Sequence, residues 1–141
     1  MTNTIPIESA RIDDAASIAE IYDHYVANGT ASFEMEPPGA GEMAQRIEKV
    51  MAGGYPWLVA RGSQGAVLGY AYASQFGSRA GYRFSCETSI YVRHDALGQG
   101  IGTRLLGALV EQCEAIGLRQ AFAVIAGTEP ASVALHAKAG F

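Results

Sequence analysis

Long cationic runs, long apolar runs and clustered cysteines are all missing from this chain of 141 residues. Ten Lys and Arg are scattered among fourteen Asp and Glu, giving a formal net charge of −4, which argues against bulk nucleic-acid binding. No apolar stretch reaches the roughly 20 residues that a membrane-spanning helix needs. The opening Met1-Thr-Asn-Thr-Ile-Pro also lacks the basic and apolar regions of a signal peptide. The two cysteines, Cys86 and Cys113, fall in a strand pattern and a helix pattern without metal-ligand spacing. They read as reduced core residues of a cytoplasmic protein. His24 and His94 have no companion ligands in the sequence either, so no metal is expected. What remains is ordinary globular composition, 49% apolar and 17% charged. It predicts a single domain over residues 1–141 that buries roughly two-thirds of its unfolded surface.

One local absence says more. From Gly98 to Val110 the only charged side chain is Arg104, and the first acid is Glu111. Helix N-termini usually recruit Asp or Glu to complement the dipole, so an acid-free first turn leaves room for an external anion. The segment Leu97-Gly98-Gln99-Gly100-Ile101-Gly102-Thr103 supplies that helix start, directly after a β-like run. Its alternate glycines permit a tight turn and close backbone approach, and the first N–H groups of the helix point outward without partners. The pattern therefore predicts a site for a phosphate-bearing ligand. It lacks the Lys-Ser/Thr of a Walker loop, and Thr103 stands where the dinucleotide fingerprint needs its third glycine. The next strand also lacks the acid a ribose would require.

Periodicity orders the rest. Ile5 to Arg11 predicts a short strand, and Asp13 and Asp14 predict a helix start. Ile18, Ile21, Tyr22 and Tyr25 then follow at helical spacing to an end near Asn28-Gly29. A second helix carries Met43, Ile47 and Val50 on one face. Strands are predicted over Tyr55 to Arg61 and Ala66 to Phe76, joined by a Gly-Ser-Gln-Gly turn, and over Tyr82 to Val92. A helix from about Gly100 to Ile116 places Ile101, Leu105, Leu109, Cys113 and Ile116 on one side. A buried strand over Gln120 to Ile125 and a last helix starting at Pro130 follow.

Along Tyr82 to Val92 the two faces separate, with Cys86, Thr88, Ile90 and Val92 on one and Glu87, Ser89 and Tyr91 on the other. On pattern alone Glu87 is either an exposed acid on a wet sheet face or a carboxylate placed to take a proton from an amine. Arg79 is either a solvated loop arginine or a fork for a carboxylate or phosphinate. Phe33 is either plain core or the wall of a pocket.

The glycine segment resembles the acyl-coenzyme A loop of the GNAT superfamily of N-acetyltransferases, with Leu97 where Gln or Arg is usual. A narrower resemblance is carried by Ile21-Tyr-Asp-His-Tyr-Val26, Ala31-Ser-Phe-Glu34, Tyr55-Pro-Trp-Leu-Val-Ala60, Gly69-Tyr-Ala-Tyr72, Arg79-Ala-Gly-Tyr82 and Glu87-Thr-Ser-Ile-Tyr-Val92. These look like the phosphinothricin and methionine-sulfoximine N-acetyltransferase family. The resemblance implies an α/β fold, a mixed and mostly antiparallel sheet flanked by helices. It also implies that this chain lacks the last two strands, since Gly140-Phe141 ends it about 25 to 30 residues early.

The resemblance further implies an acetyl-CoA-dependent enzyme that acetylates the α-amino group of a small amino-acid analogue by direct attack, and so detoxifies it. Glu87 is then the general base. A bulge expected in this strand would shift the faces beyond it. Backbone groups of Ile90, Tyr91 and Val92 contact the pantetheine and supply the oxyanion donor, and residues 97–103 hold the pyrophosphate. Ser132 touches the coenzyme, and Phe33, Arg79 and Tyr82 bind the amine. His136 stands where many relatives carry a tyrosine that protonates the leaving thiolate, and is either that acid or a helix-surface histidine packing at a partner. A homodimer is implied as well. Two alternatives stay open: a GNAT enzyme acting on a peptide N-terminus or polyamine, and a non-catalytic acyl-CoA-binding module.

Overall fold

The computed structural model describes residues 5–28, 36–75 and 85–122. Among these residues five strands form one sheet in the order β1 (Ile7–Ser9), β2 (Trp57–Arg61), β3 (Val67–Gln75), β4 (Ser85–Val92) and β5 (Gln120–Phe122). The first four pair antiparallel, and β5, reached through a helix, pairs parallel with β4. Helices α1 (Ala15–Asn28) and α2 (Gly39–Ala52) lie between β1 and β2 in sequence, and α3 (Ile101–Ala115) lies between β4 and β5. The mixed, mostly antiparallel sheet with flanking helices is the architecture expected from sequence.

The sheet is covered on both faces. Ile18, Tyr22, Met43 and Ile47 of α1 and α2 pack with Trp57, Val59 and Tyr70, while Leu105, Leu106 and Leu109 of α3 pack with Leu58, Ala60, Ala71 and Cys86. Strand β2 therefore reads as an unbroken apolar run, because both sets of its side chains are buried. In α3 the predicted stripe holds at Ile101, Leu105, Leu109 and Cys113, but Ile116 is 51% exposed. The helix stops at Ala115, and Gly117 at φ 91° turns the chain, so Ile116 leaves the helical face before it can bury.

Close approach of α3 to the sheet depends on Gly69. A Cβ there would lie 3.1 Å from Leu105 Cδ1 and 3.1 Å from the Tyr91 carbonyl oxygen. The leucine could yield, but the carbonyl is fixed in the β3–β4 pairing. Gly69→Ala is expected to destabilise the protein by about 1–2 kcal/mol through overpacking, read as a lower denaturant midpoint at unchanged m-value.

At the start of α1 the aspartates do more than begin a helix. A single 3-10 turn, Ile12–Asp14, precedes α1, and the Asp14 carboxylate accepts the Arg11 N–H at 2.8 Å. The same carboxylate receives two bonds from Arg61 of β2, at 3.0 and 2.9 Å, and Arg61 also bonds Glu8 of β1. Burial alone would raise the Asp14 pKa, but the Arg61 and Arg11 hydrogen bonds hold it below its ordinary 3.8. A depressed carboxylate stabilises the fold above its unfolded pKa and ceases to do so as pH falls through the folded one. Asp14→Asn should therefore cost about 2 kcal/mol at neutral pH. Thermal melts of the two proteins should converge as pH is lowered through and below 3.8.

Candidate active site

Strand β4 runs in unbroken register with β3 from Gly69↔Val92 to Gln75↔Cys86. The bulge expected in it is absent among the described residues, and the irregularity in the sheet falls between Ala60 and Arg61 of β2. The faces of β4 therefore keep their parity. Cys86, Ile90 and Val92 pack toward α3, and Tyr91 packs toward α1 and α2, edge-on to Tyr22 with ring centroids 5.2 Å apart. Glu87 shares the Tyr91 face, half-buried and directly opposite Ser74, with Ser89 opposite Tyr72. A carboxylate thus stands on the α1/α2 face of the sheet rather than in the bulk core.

The backbone of β4 alternates in the same strict way. Arg93 N–H bonds the Leu68 carbonyl of β3 at 2.8 Å, and Ala73 N–H bonds Pro56 in the opposite direction at 3.1 Å. By antiparallel alternation the N–H and C=O of Tyr91 point at β3, and those of Ile90 and Val92 point at the β5 side. The Val92 carbonyl on that side accepts the Tyr25 hydroxyl of α1. Ile90 and Val92 therefore present backbone groups toward the β5 edge, while the Tyr91 backbone belongs to the β3 ladder and its ring to the aromatic core.

Beyond Val92 a short 3-10 turn, His94–Ala96, leads into Leu97, Gly98, Gln99 and Gly100, all exposed. Gly98 and Gly100 adopt φ of 80° and 75°, which disfavours any other residue, yet a Cβ at either would meet nothing within 4 Å. Backbone conformation requires the glycines, and the space before them is open to a ligand. The first helical bond of α3 runs from Arg104 N–H to the Gly100 carbonyl at 3.1 Å. The amides of Ile101, Gly102 and Thr103 come before it, in a first turn without an acid. Ile101 is 2% exposed, so only its backbone can serve an anion, while Thr103 is exposed. Arg93 is not aimed here, since its guanidinium clasps Asp95 at 3.0 and 2.7 Å. These residues fit a phosphate group held by backbone amides.

Glu87, the Ile90–Val92 backbone and residues 97–103 are thus joined along one strand and the turn that follows it. Phe33, Arg79, Tyr82, Ser132 and His136 lie outside the described residues. Three associations had no sequence signal. His24 and His94 stack at 4.1 Å with planes 14° apart. Cys86 and Cys113 bring their sulfurs to 3.9 Å as buried free thiols; their mutual hydrogen bond lowers the Cys86 pKa and raises that of Cys113. Trp57 and Tyr72 stack at 4.0 Å beside the Glu87 face. Among the described residues no group of three His, Cys, Asp or Glu converges on a metal position, and no helix is long and apolar enough to cross a membrane.

An antiparallel sheet whose fourth strand feeds a glycine turn and an acid-free helix start, followed by a parallel fifth strand, is the arrangement expected of an acyl-coenzyme A-dependent transferase. Residues 18–141 match the acetyltransferase (GNAT) family. A phosphinothricin N-acetyltransferase of Alcaligenes faecalis is 45% identical over 136 residues, covering 96% of this chain and 68% of that protein. The L-methionine sulfoximine/L-methionine sulfone acetyltransferase of Pseudomonas aeruginosa is 37% identical, with 96% and 78% covered. Among solved structures, a phosphinothricin acetyltransferase from Sinorhizobium meliloti in complex with acetyl-CoA superposes with a TM-score of 0.94 at 48% identity, covering 98% of this chain and 75% of that one. The chain belongs to the GNAT acetyltransferase family and is an N-acetyltransferase.

Proposed function

We propose that this enzyme acetylates the α-amino group of a small amino-acid analogue of the phosphinothricin, methionine sulfoximine or methionine sulfone type. The observation that carries the reading is the position of Glu87, on the same strand that leads through Ile90 and Val92 into the glycine cradle. Acetyl-CoA is the co-substrate, its pyrophosphate held by the amides of residues 97–103 and its thioester drawn along the β5 edge of β4. Relatives acting on such analogues at 45% and 37% identity support the substrate class.

An amine is mostly protonated at neutral pH and nucleophilic only as the free base. Glu87 takes that proton, directly or through a water, and the freed amine attacks the thioester carbonyl without a covalent enzyme intermediate. The amides of Ile90 and Val92 face the side where negative charge develops on the carbonyl oxygen and are suited to stabilise it. His136 returns a proton to the departing sulfur, and Ser132 contacts the coenzyme. Phe33, Arg79 and Tyr82 enclose the acceptor, with Arg79 on its carboxylate or phosphinate. The same reading makes the protein a cytoplasmic homodimer of one catalytic domain per chain.

A thiol-release assay with acetyl-CoA tests the reading against phosphinothricin, methionine sulfoximine, methionine sulfone, spermidine and a short peptide. Release with the first three is expected, and release with none would overturn it. Arg79→Ala should raise KM for methionine sulfone at least about 10-fold, consistent with loss of a charge-assisted fork, and leave KM for acetyl-CoA within about 2-fold. Equal rises in both constants would assign Arg79 a structural role.

A further inference from the structure

A cleft of ≈ 570 Å³ opens between α2, the start of β2 and the end of β3, within the range of small-molecule sites. Its floor is aromatic. Trp57, 1% exposed, lies under Tyr72 in a stack of 4.0 Å, and Tyr55 stands at the side. Its rim is cationic. Arg46 and Lys49 project from the last turns of α2, and among the described residues no carboxylate lines the space. Glu42 already engages Arg46 at 3.2 Å, so the exposed Lys49 supplies most of the uncompensated charge. The indole N–H of Trp57, in the cleft wall, has no acceptor among the described residues.

The register of β3 and β4 fixes where this cleft sits relative to the chemistry. Ser74, in its lining, is directly opposite Glu87, and Tyr72 is opposite Ser89. Directly paired residues share a face, with Cβ atoms about 5 Å apart. The cleft therefore adjoins the general base on the acceptor side of the sheet. It is distinct from the glycine cradle, which lies past the other end of β4.

We infer that this cleft is a distal acceptor subsite, which takes an oxyanion carried on an aromatic or apolar stem when the acceptor is longer than a free amino acid. A dipeptide is such a molecule. With its α-amine at Glu87, its second side chain packs on Tyr72 and its terminal carboxylate reaches Lys49 and Arg46. The inference rests on Glu87 marking the acceptor site, but not on the identity of the small analogue.

The test compares glycyl-phenylalanine with glycyl-phenylalaninamide, which share an N-terminus and differ in the distal charge. Turnover is followed by thiol release and binding by calorimetry, with methionine sulfone run in parallel. The acid should be preferred in kcat/KM by about 3- to 10-fold, mainly through KM, as an exposed ion pair allows. Lys49→Glu, an exposed change, should abolish or invert that ratio while the amide moves less than the acid. A ratio near one in the wild type, or a ratio unmoved by Lys49→Glu, overturns the subsite. So does an absence of dipeptide binding alongside normal methionine sulfone turnover, which would leave the proposed function standing. Acid preference without turnover of any small analogue would support the subsite and overturn the proposed substrate class.

Discussion

Glu87→Gln should lower kcat at neutral pH by about 100-fold or more, the range for losing a positioned general base. That is a loss of about 2.7 kcal/mol of transition-state stabilisation. The substitution is near-isosteric on a half-buried side chain of a strand paired on both sides at this position, so folding should be little changed. Affinity for acetyl-CoA should stay within about 2-fold, because the cradle at residues 97–103 is built from backbone beyond the far end of β4. The deficit should narrow as pH rises, since the acceptor amine then loses its proton to solvent and needs the carboxylate less. Steady-state rates across pH with methionine sulfone, beside a thermal melt, decide the matter. Unchanged turnover with unchanged melting would remove Glu87 from the mechanism.

Leu105→Ala should be the most damaging single core substitution on the α3 side of the sheet. Leu105 is fully buried and packs against β3 at Gly69, which has no side chain to hold the helix off. Truncation removes apolar contacts and leaves a cavity that a helix wedged against paired strands cannot fill, a loss of about 2–5 kcal/mol. For a chain of this length the melting temperature should fall by roughly 10 °C. Because α3 also carries the amides of the cradle at its start, weaker acetyl-CoA binding should accompany the lower stability. Ile116→Ser, at a residue 51% exposed one position past the helix, should change stability by no more than about 0.5 kcal/mol. Circular dichroism melts of both variants check the pair; equal shifts would mean that α3 ends or packs differently.

Local chemistry explains why much of this was legible in advance. The stripes Ile18-Ile21-Tyr22 and Ile101-Leu105-Leu109 each repeat at helical spacing, and each is buried as that spacing requires. The alternation of β4 assigned Glu87 and Tyr91 to one face, and the pairing with β3 preserves it. Gly98 and Gly100 take the left-handed conformation their pattern implied. Where expectation failed, the cause was a neighbour beyond the local window. The first strand is only Ile7–Ser9, paired with Leu58, Val59 and Ala60 of β2, and its contact with β2 ends in single bonds at Pro6 and Ala10. Asp14 is drawn to Arg61, and among the described residues the register shift falls not in β4 but where Ala60 and Arg61 of β2 pass the unpaired Leu68 of β3.

The order of helices and strands, the acid-free glycine turn and the two faces of β4 could all be read from the chain before folding. Those properties follow from backbone sterics and from a periodicity that acts over a few residues. Packing brings Cys86 to Cys113, stacks His24 on His94, and gathers Trp57, Tyr72, Arg46 and Lys49 around one cleft beside Glu87. Each of those contacts joins residues on different elements. Whether such side chains meet is set by strand register and by the depth at which each helix seats on the sheet, which no local window of sequence encodes.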